Sequence, residues 1–423
     1  FLWVLPLGLY LLTFILCFDY ERLYHRKVFT WLMAVALGGM AYGLSHWNSH
    51  TNLRIVIPAF SAGLFIGCMF FHGELVRRKP APRHLTSFYL MLSLGGALGG
   101  LLVGLAAPLF LNGYFELPIV LTLCAIMMLT IIEYRTWRIT LAVSWAVAVF
   151  VSGASWTYVS SYTGYARIMV RNFYGGLRVH VIDSGKATEA RMLVHGMVDH
   201  GMQYTDPKRR REHITYYGPG SGVGLAIQHL RSSPLRVGVV GLGAGSLAAY
   251  AEPGDVFRFY EINPLVEMLS RTEFTYLADC RGKTEVIMGD GRLSLEREPQ
   301  QHYDLLAIDA FSGDAVPVHL LTRQALELYF RHLKPSGILA LHITNTHLDL
   351  APVVDTLSRT LGTYAIKIVN EKNDGHKIYR ATWALLSSRP LAPAIRAAGE
   401  ELGSRPELRV WTDDYNNLFQ ILK

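Results

Sequence analysis

The chain has 423 residues, of which 51% are hydrophobic and only 17% charged, against about 25% charged in an average soluble protein, so a single water-soluble domain is a poor reading. Residues 1–159 hold ten Lys+Arg and five Asp+Glu, while the other 264 hold 30 and 28. Most of the basic balance, net +7 with a pI near 9.1, therefore lies in short loops between apolar runs, and no basic stripe dense enough for a nucleic-acid partner exists.

A bilayer core about 30 Å thick needs roughly 20 apolar residues in helix. Six runs approach this length: 1–18, 28–47, 55–73, 86–111, 117–132 and 139–159. The pattern predicts a transmembrane helical domain at 1–159 with six crossings, in contact with lipid. Phe1 to Phe18 lacks the small-residue cleavage site of a secretory signal, so this run too is expected to be a span. In the fourth run Gly95, Gly96, Gly99, Gly100 and Gly104 have the spacing that lets a neighbouring helix approach closely in lipid. His72 and Glu74 end the third run beside Arg77, Arg78 and Lys79, where a snorkelling position at the membrane surface is expected. The spans hold almost no other charge, which favours an anchor or docking surface over a transporter.

Three of the four cysteines (Cys17, Cys68, Cys124) lie inside apolar runs and Cys280 is isolated, so no CxxC pair or disulfide framework can be drawn. The loops 19–27, 77–84 and 133–138 carry three, four and two Lys+Arg and 112–116 none, which places the basic loops in the cytoplasm and, by parity, the soluble part outside. The chemistry derived below uses a cofactor made in the cytosol and places that part in the cytoplasm. The two arguments conflict.

Residues 160–230 read as a linker and a small β domain, with strands Leu177 to Asp183 and Glu189 to Val194 around Ser184-Gly185-Lys186. At 231–423 apolar strands alternate with helical stretches: Leu235 to Val240, Val256 to Tyr260, Glu285 to Ile287, Tyr303 to Ile308 and Gly337 to Ile343. This predicts an α/β Rossmann-like domain with a parallel, doubly wound sheet, whose ligand binds outside the carboxyl ends of the strands.

Those ends carry the chemistry. The first strand runs into Gly241-Leu242-Gly243-Ala244-Gly245-Ser246, where glycines at 241, 243 and 245 leave the backbone open to a ligand. The third glycine comes one residue early for the dinucleotide pattern GxGxxG, and GxGxG suits an S-adenosylmethionine-type nucleoside better. Glu261 ends the second strand, 20 residues after Gly241, where it can accept from ribose hydroxyls. The third strand ends in Gly289-Asp290-Gly291-Arg292 and the fourth in Asp309-Ala310-Phe311-Ser312-Gly313-Asp314. These place one carboxylate at an adenine amino group and two over the reacting end.

At these residues the soluble half resembles the spermidine synthase family, aminopropyltransferases with a small N-terminal β domain before a methyltransferase-like fold. The whole chain resembles bacterial membrane-fused spermidine synthase-like proteins, which implies a place in a bacterial inner membrane. Further matches are Arg171-Asn172-Phe173-Tyr174-Gly175, His195-Gly196, His200-Gly201-Met202-Gln203, Thr215-Tyr216-Tyr217-Gly218-Pro219 and Thr412-Asp413-Asp414-Tyr415. The resemblance implies that Gln203 contacts the nucleoside, that Tyr216 or Tyr217, with Asp413 and Asp414, binds the amine, and that Glu261 and Asp290 hold ribose and adenine. Asp309 is implied as the catalytic base. The co-substrate implied is S-adenosylmethionine or its decarboxylated form, the partner a polyamine or other small amine, and a homodimer is a candidate assembly.

A polyamine is cationic and its attacking nitrogen must lose a proton, so carboxylates such as Asp309 and Asp314 suit both needs. His195 and His200 have no third ligand at a recognisable spacing, so no metal is expected. The chain departs from the family at Ala244, where an Asp would hold the donor's amino group, and in the loop after Asp309, which keeps the donor's decarboxylation open. Arg292 is then a candidate partner for a donor carboxylate. The competing readings are another S-adenosylmethionine enzyme, such as a methyltransferase or a lyase, and a transporter or sensor whose domain only binds nucleoside or polyamine.

Overall fold

The computed structural model describes residues 4–46, 53–132, 138–196, 198–310 and 317–423. The chain divides into two compact units, Phe1–Tyr165 and Ala166–Lys423.

In the first unit every apolar run is helical: Val4–Asp19, Arg26–Ser45, Leu53–Arg77, Leu85–Leu101 continued to Phe110, Glu116–Ile131 and Arg138–Thr163. Four helices are long and apolar enough to cross a membrane, whereas Val4–Asp19 and Glu116–Ile131 have 16 residues each, about 24 Å of rise. Of the six expected crossings, four correspond to long helices and two to short ones. Met33, Leu37, Ala41, Phe70, Ala125 and Val151 belong to the buried core, while Val35, Val149 and Trp156 face outward at 72, 69 and 73% exposure.

The His72-Gly73-Glu74 motif departs from its expected place at the surface. His72 and Glu74 are buried, at 6 and 3% exposure. Glu74 accepts from the Tyr24 hydroxyl at 2.9 Å and pairs with Arg26 at 3.0 Å, and Thr13 Oγ1 lies 3.2 Å from His72 Nδ1. A Cβ on Gly73 would lie 2.3 Å from the Tyr24 ring, so the motif ties together Val4–Asp19, Leu53–Arg77 and the start of Arg26–Ser45. Gly95, Gly96, Gly99, Gly100 and Gly104 differ from expectation as well: no described atom lies within 4 Å of a Cβ built at any of them.

The second unit begins with an antiparallel meander, β1 (Ala166–Asn172), β2 (Gly175–Ile182), β3 (Ala190–His195) and β4 (Val198–Tyr204). The larger sheet contains β5 (Arg236–Val240), β6 (Val256–Glu261), β7 (Lys283–Met288), β8 (Tyr303–Ile308), β9 (Leu333–His342), β10 (Tyr364–Asn370) and β11 (Ala381–Ser387), in the order β10-β11-β9-β8-β5-β6-β7. Strands β7, β6, β5, β8 and β9 are parallel, and β11 and β10 add antiparallel. Strand order reverses between β5 and β8, which makes their carboxyl ends the switch point where such sheets bind ligands.

Leu177, Val179 and Leu193 of the meander share one core with Val237, Val239, Phe257, Leu305 and Trp383. The helix Gly222–Leu230, capped by Ser221, packs on the larger sheet although the sequence reading placed it with the β domain. Its glycine start permits the contact, because a Cβ on Gly222 would lie 2.4 Å from Trp383 Cβ.

Candidate active site

Beyond the ends of β5, β6 and β8 lies a cavity of about 250 Å³, lined by the 241–243 turn, Glu261, Asp290, Gly291, Asp309 and His200 among others. The turn's glycines serve packing more than ligand approach. Gly241 and Gly243 have φ of +102 and +54°, and added Cβ atoms would lie 2.3 Å from the Asp309 carbonyl and 2.5 Å from the His200 carbonyl. The turn is thus wedged between β8 and β4, with Ala244 N–H donating to the His200 carbonyl, which brings Asp309 and His200 to one place.

Glu261 is buried and accepts backbone N–H bonds from Leu242 and Asn263, at 2.9 and 2.8 Å. Burial raises its pKa and these amides oppose the rise. Each carboxylate oxygen can still accept another bond, so Glu261 is braced against the turn with acceptor capacity toward the cavity. Asp290 caps the helix Gly291–Arg297 through Leu293 N–H at 2.9 Å, and its second oxygen lies 3.1 Å from His319 Nε2. The His319 contact first, then the cap, hold its carboxyl below the usual range.

Asp309, at the end of β8, accepts from the Tyr217 hydroxyl at 2.5 Å and lies 2.7 Å from His342 Nδ1, with only 9% of its side chain exposed. His342 stacks on Trp383 at 4.6 Å, and its Nε2 is 2.7 Å from Thr344 Oγ1. An ionised Asp309 can only accept, so the hydrogen between it and Nδ1 is the ring's, and Nε2 is left to accept from the Thr344 hydroxyl, which also lies 3.4 Å from the Thr382 carbonyl and accepts from Thr382 N–H. Tyr217 is held well above its usual pKa by burial and then by the Asp309 charge, so it donates without ionising.

A second, smaller cavity of about 120 Å³ opens on the other side of Asp309, with Asp199, Tyr216, Tyr217, His342 and Thr344 in its wall. The two cavities share His200, Gly241, Leu242, Gly243 and Asp309. Asp199 has a pKa raised to about 6, because burial outweighs the nearby Arg178 and the Tyr379 hydrogen bond. The arrangement is two chambers meeting at a carboxylate that two neighbours hold in position.

The chain is 30% identical over 207 residues to the polyamine aminopropyltransferase of Vibrio vulnificus, covering 48% of this chain and 66% of that one. Over that stretch the chain is similar in sequence to a polyamine aminopropyltransferase. It spans a little under two thirds of that relative's length, and no family model matches it. Among solved structures, a probable spermidine synthase from Corynebacterium glutamicum overlays at 18% identity with a TM-score of 0.38, covering 50% of this chain and 77% of that one. The spermidine synthase of Thermotoga maritima overlays at 15% identity with a TM-score of 0.35, covering 55 and 78%.

Several expected site residues stand elsewhere than in the cavity. Gln203 does not line the cavity: its amide donates to the Arg210 carbonyl and Thr275 Oγ1 and accepts from Thr275 N–H. Asp413 takes both Arg292 guanidinium nitrogens, at 2.8 and 2.6 Å, and the Thr322 hydroxyl at 2.7 Å. This ion pair fastens the C-terminal tail to the helix after Asp290 and removes Arg292 as a partner for a donor carboxylate. Asp414 is exposed and lines neither chamber. Gly245 has φ +84° and starts the turn Ser246–Tyr250 outside the cavity lining. Asp314 falls in 311–316, outside the described residues.

Sequence reasoning passed over His342, His319 and Asp199, and took His200 for a loop residue. His342 ends β9, so the strand-end rule that found Glu261, Asp290 and Asp309 pointed to it as well.

Proposed function

We propose that this protein is a membrane-held aminopropyltransferase that moves an aminopropyl-type group from an S-adenosyl donor to a small amine, releasing methylthioadenosine. The observation that carries this is Asp309 at the junction of the two chambers, aligned by Tyr217 and His342. The nucleoside occupies the larger chamber, with its ribose at Glu261 and its adenine at Asp290 beside Gly291. The amine enters the smaller one, where Asp199 and Asp309 attract a cation and Tyr216 and Tyr217 form the wall.

The donor supplies a sulfonium whose attached carbon is electrophilic. Asp309 takes a proton from the amine, the freed nitrogen pair forms the new C–N bond, and the C–S electrons return to sulfur as a neutral thioether. Asp314, a carboxylate five residues after Asp309 in the sequence, is assigned acceptor-binding charge on its residue type alone. The four long apolar helices support a place in a membrane, and the cytosolic origin of the donor supports a cytoplasmic catalytic unit. Reporter fusions at Lys423 test that side.

Mass spectrometry of the purified chain with S-adenosylmethionine or its decarboxylated form, with and without putrescine, tests the reaction. Methylthioadenosine and an aminopropylated amine are expected together, whereas S-adenosylhomocysteine would identify a methyltransferase.

A further inference from the structure

One buried polar atom at the meeting of the chambers has no use in this reaction scheme. His200 lines both chambers, and its Nε2 is buried without a hydrogen-bond partner among the described residues. A buried polar atom left unpaired is costly and uncommon, and in a site it marks a bond that a ligand completes. The residue is held at this junction by its backbone carbonyl, which accepts from Ala244 N–H, and its ring lies 5.4 Å from that of His195.

The electrical surroundings say what kind of ligand reaches it. Glu261, Asp290, Asp309 and Asp199 line the two chambers, and no Lys or Arg does among the described residues. Burial, reinforced by His195, pushes the His200 imidazole down to about 4, so near neutrality the ring is uncharged and one nitrogen keeps a lone pair. In such a site that lone pair meets a cationic N–H donor. The nearby turn offers only the buried Ala244 methyl, 1% exposed, and no carboxylate.

We propose that His200 Nε2 accepts a hydrogen bond from the primary ammonium at the end of the donor's transferable chain, anchoring that chain where it passes from the nucleoside chamber toward Asp309. The inference rests on the aminopropyl-donor reading above. It assigns recognition of the donor's amino group to a neutral imidazole.

Calorimetry on the full chain in detergent tests it with two probes, decarboxylated S-adenosylmethionine and methylthioadenosine, the second lacking the ammonium. His200→Leu should weaken the first about tenfold or more, the expected loss of a hydrogen bond to a charged group, and leave the second within about twofold. His200→Gln, which retains an acceptor, should recover part of the loss. If Leu prevents folding, the unbranched His200→Met takes its place. Wild-type binding of both probes with equal or no weakening in the variants overturns the anchor and leaves the nucleoside site standing. Wild-type binding of neither probe overturns both readings.

Discussion

Asp199 is poised to cost stability in return for binding. Its carboxyl, ordinarily near 3.8, is raised to about 6 by burial. The folded state therefore favours the protonated form, and ionisation is penalised as pH rises from the unfolded value through the folded one. At about 1.36 kcal/mol per pKa unit, a shift of about two units sets an upper bound near 3 kcal/mol at pH 8. Screening by solvent at the partly open carboxylate reduces this to about 1 to 2 kcal/mol. Asp199→Asn, which is nearly isosteric, should raise Tm by roughly 2 to 6 °C at pH 8 and by almost nothing at pH 4, where wild-type Asp199 is largely protonated in the folded state and its penalty is nearly gone. Putrescine should stabilise the wild type more than the variant, since the cation it meets is what offsets the buried charge. Thermal melts of the full chain at both pH values, with and without the amine, measure this. An equal gain at pH 4 and pH 8, or none at pH 8, would refute the reasoning.

Other substitutions separate the parts of the site. Asp290→Ala should weaken methylthioadenosine binding about 10-fold or more by calorimetry, through the lost charged acceptor, and should also cost about 0.5 to 2 kcal/mol of stability because Asp290 caps a helix. Glu261→Ala should produce a similar binding loss together with a looser turn, because two backbone amides lose their acceptor. Asp413→Ala should lower Tm by only a few degrees, since it removes a partly exposed ion pair worth about 1 kcal/mol or less, and should leave nucleoside affinity within twofold. An amine-binding defect in Asp413→Ala would restore the substrate role that the Arg292 contact argues against.

Much of the larger sheet was legible because its inner strands are short continuous apolar runs that end in glycine or acid. Such runs are buried on both faces in a parallel sheet, and their ends are where ligands bind. The same rule located Glu261, Asp290 and Asp309, and applied once more to the strand ending near Ile343 it reaches His342. Asp199 and His200 were hidden for a different reason. They lie on β4 of the separate meander, and only the wedge of the 241–243 turn against the His200 carbonyl carries them to Asp309, a long-range contact with no local signature. Gln203 and Asp413 show the opposite error. Each stands in a motif shared with a family, yet here their polar atoms are spent on Thr275 and Arg210 in one case and on Arg292 and Thr322 in the other. In the helical unit, composition located the helices, but the burial of Glu74 depended on Tyr24 and Arg26 reaching it from a different helix entry.

The central claim is that Asp309 accepts the proton of an attacking amine at the junction of the chambers. Asp309→Asn preserves size and can still accept a hydrogen bond, but has no basicity. The most direct measurement is the rate of methylthioadenosine formation by wild type and Asp309→Asn, each with decarboxylated S-adenosylmethionine, with and without putrescine, alongside methylthioadenosine affinity. The account predicts amine-dependent turnover in the wild type, a fall of about 10² to 10⁴ in the variant, and affinity nearly unchanged. Full turnover in Asp309→Asn, or a wild-type rate indifferent to the amine, would contradict it.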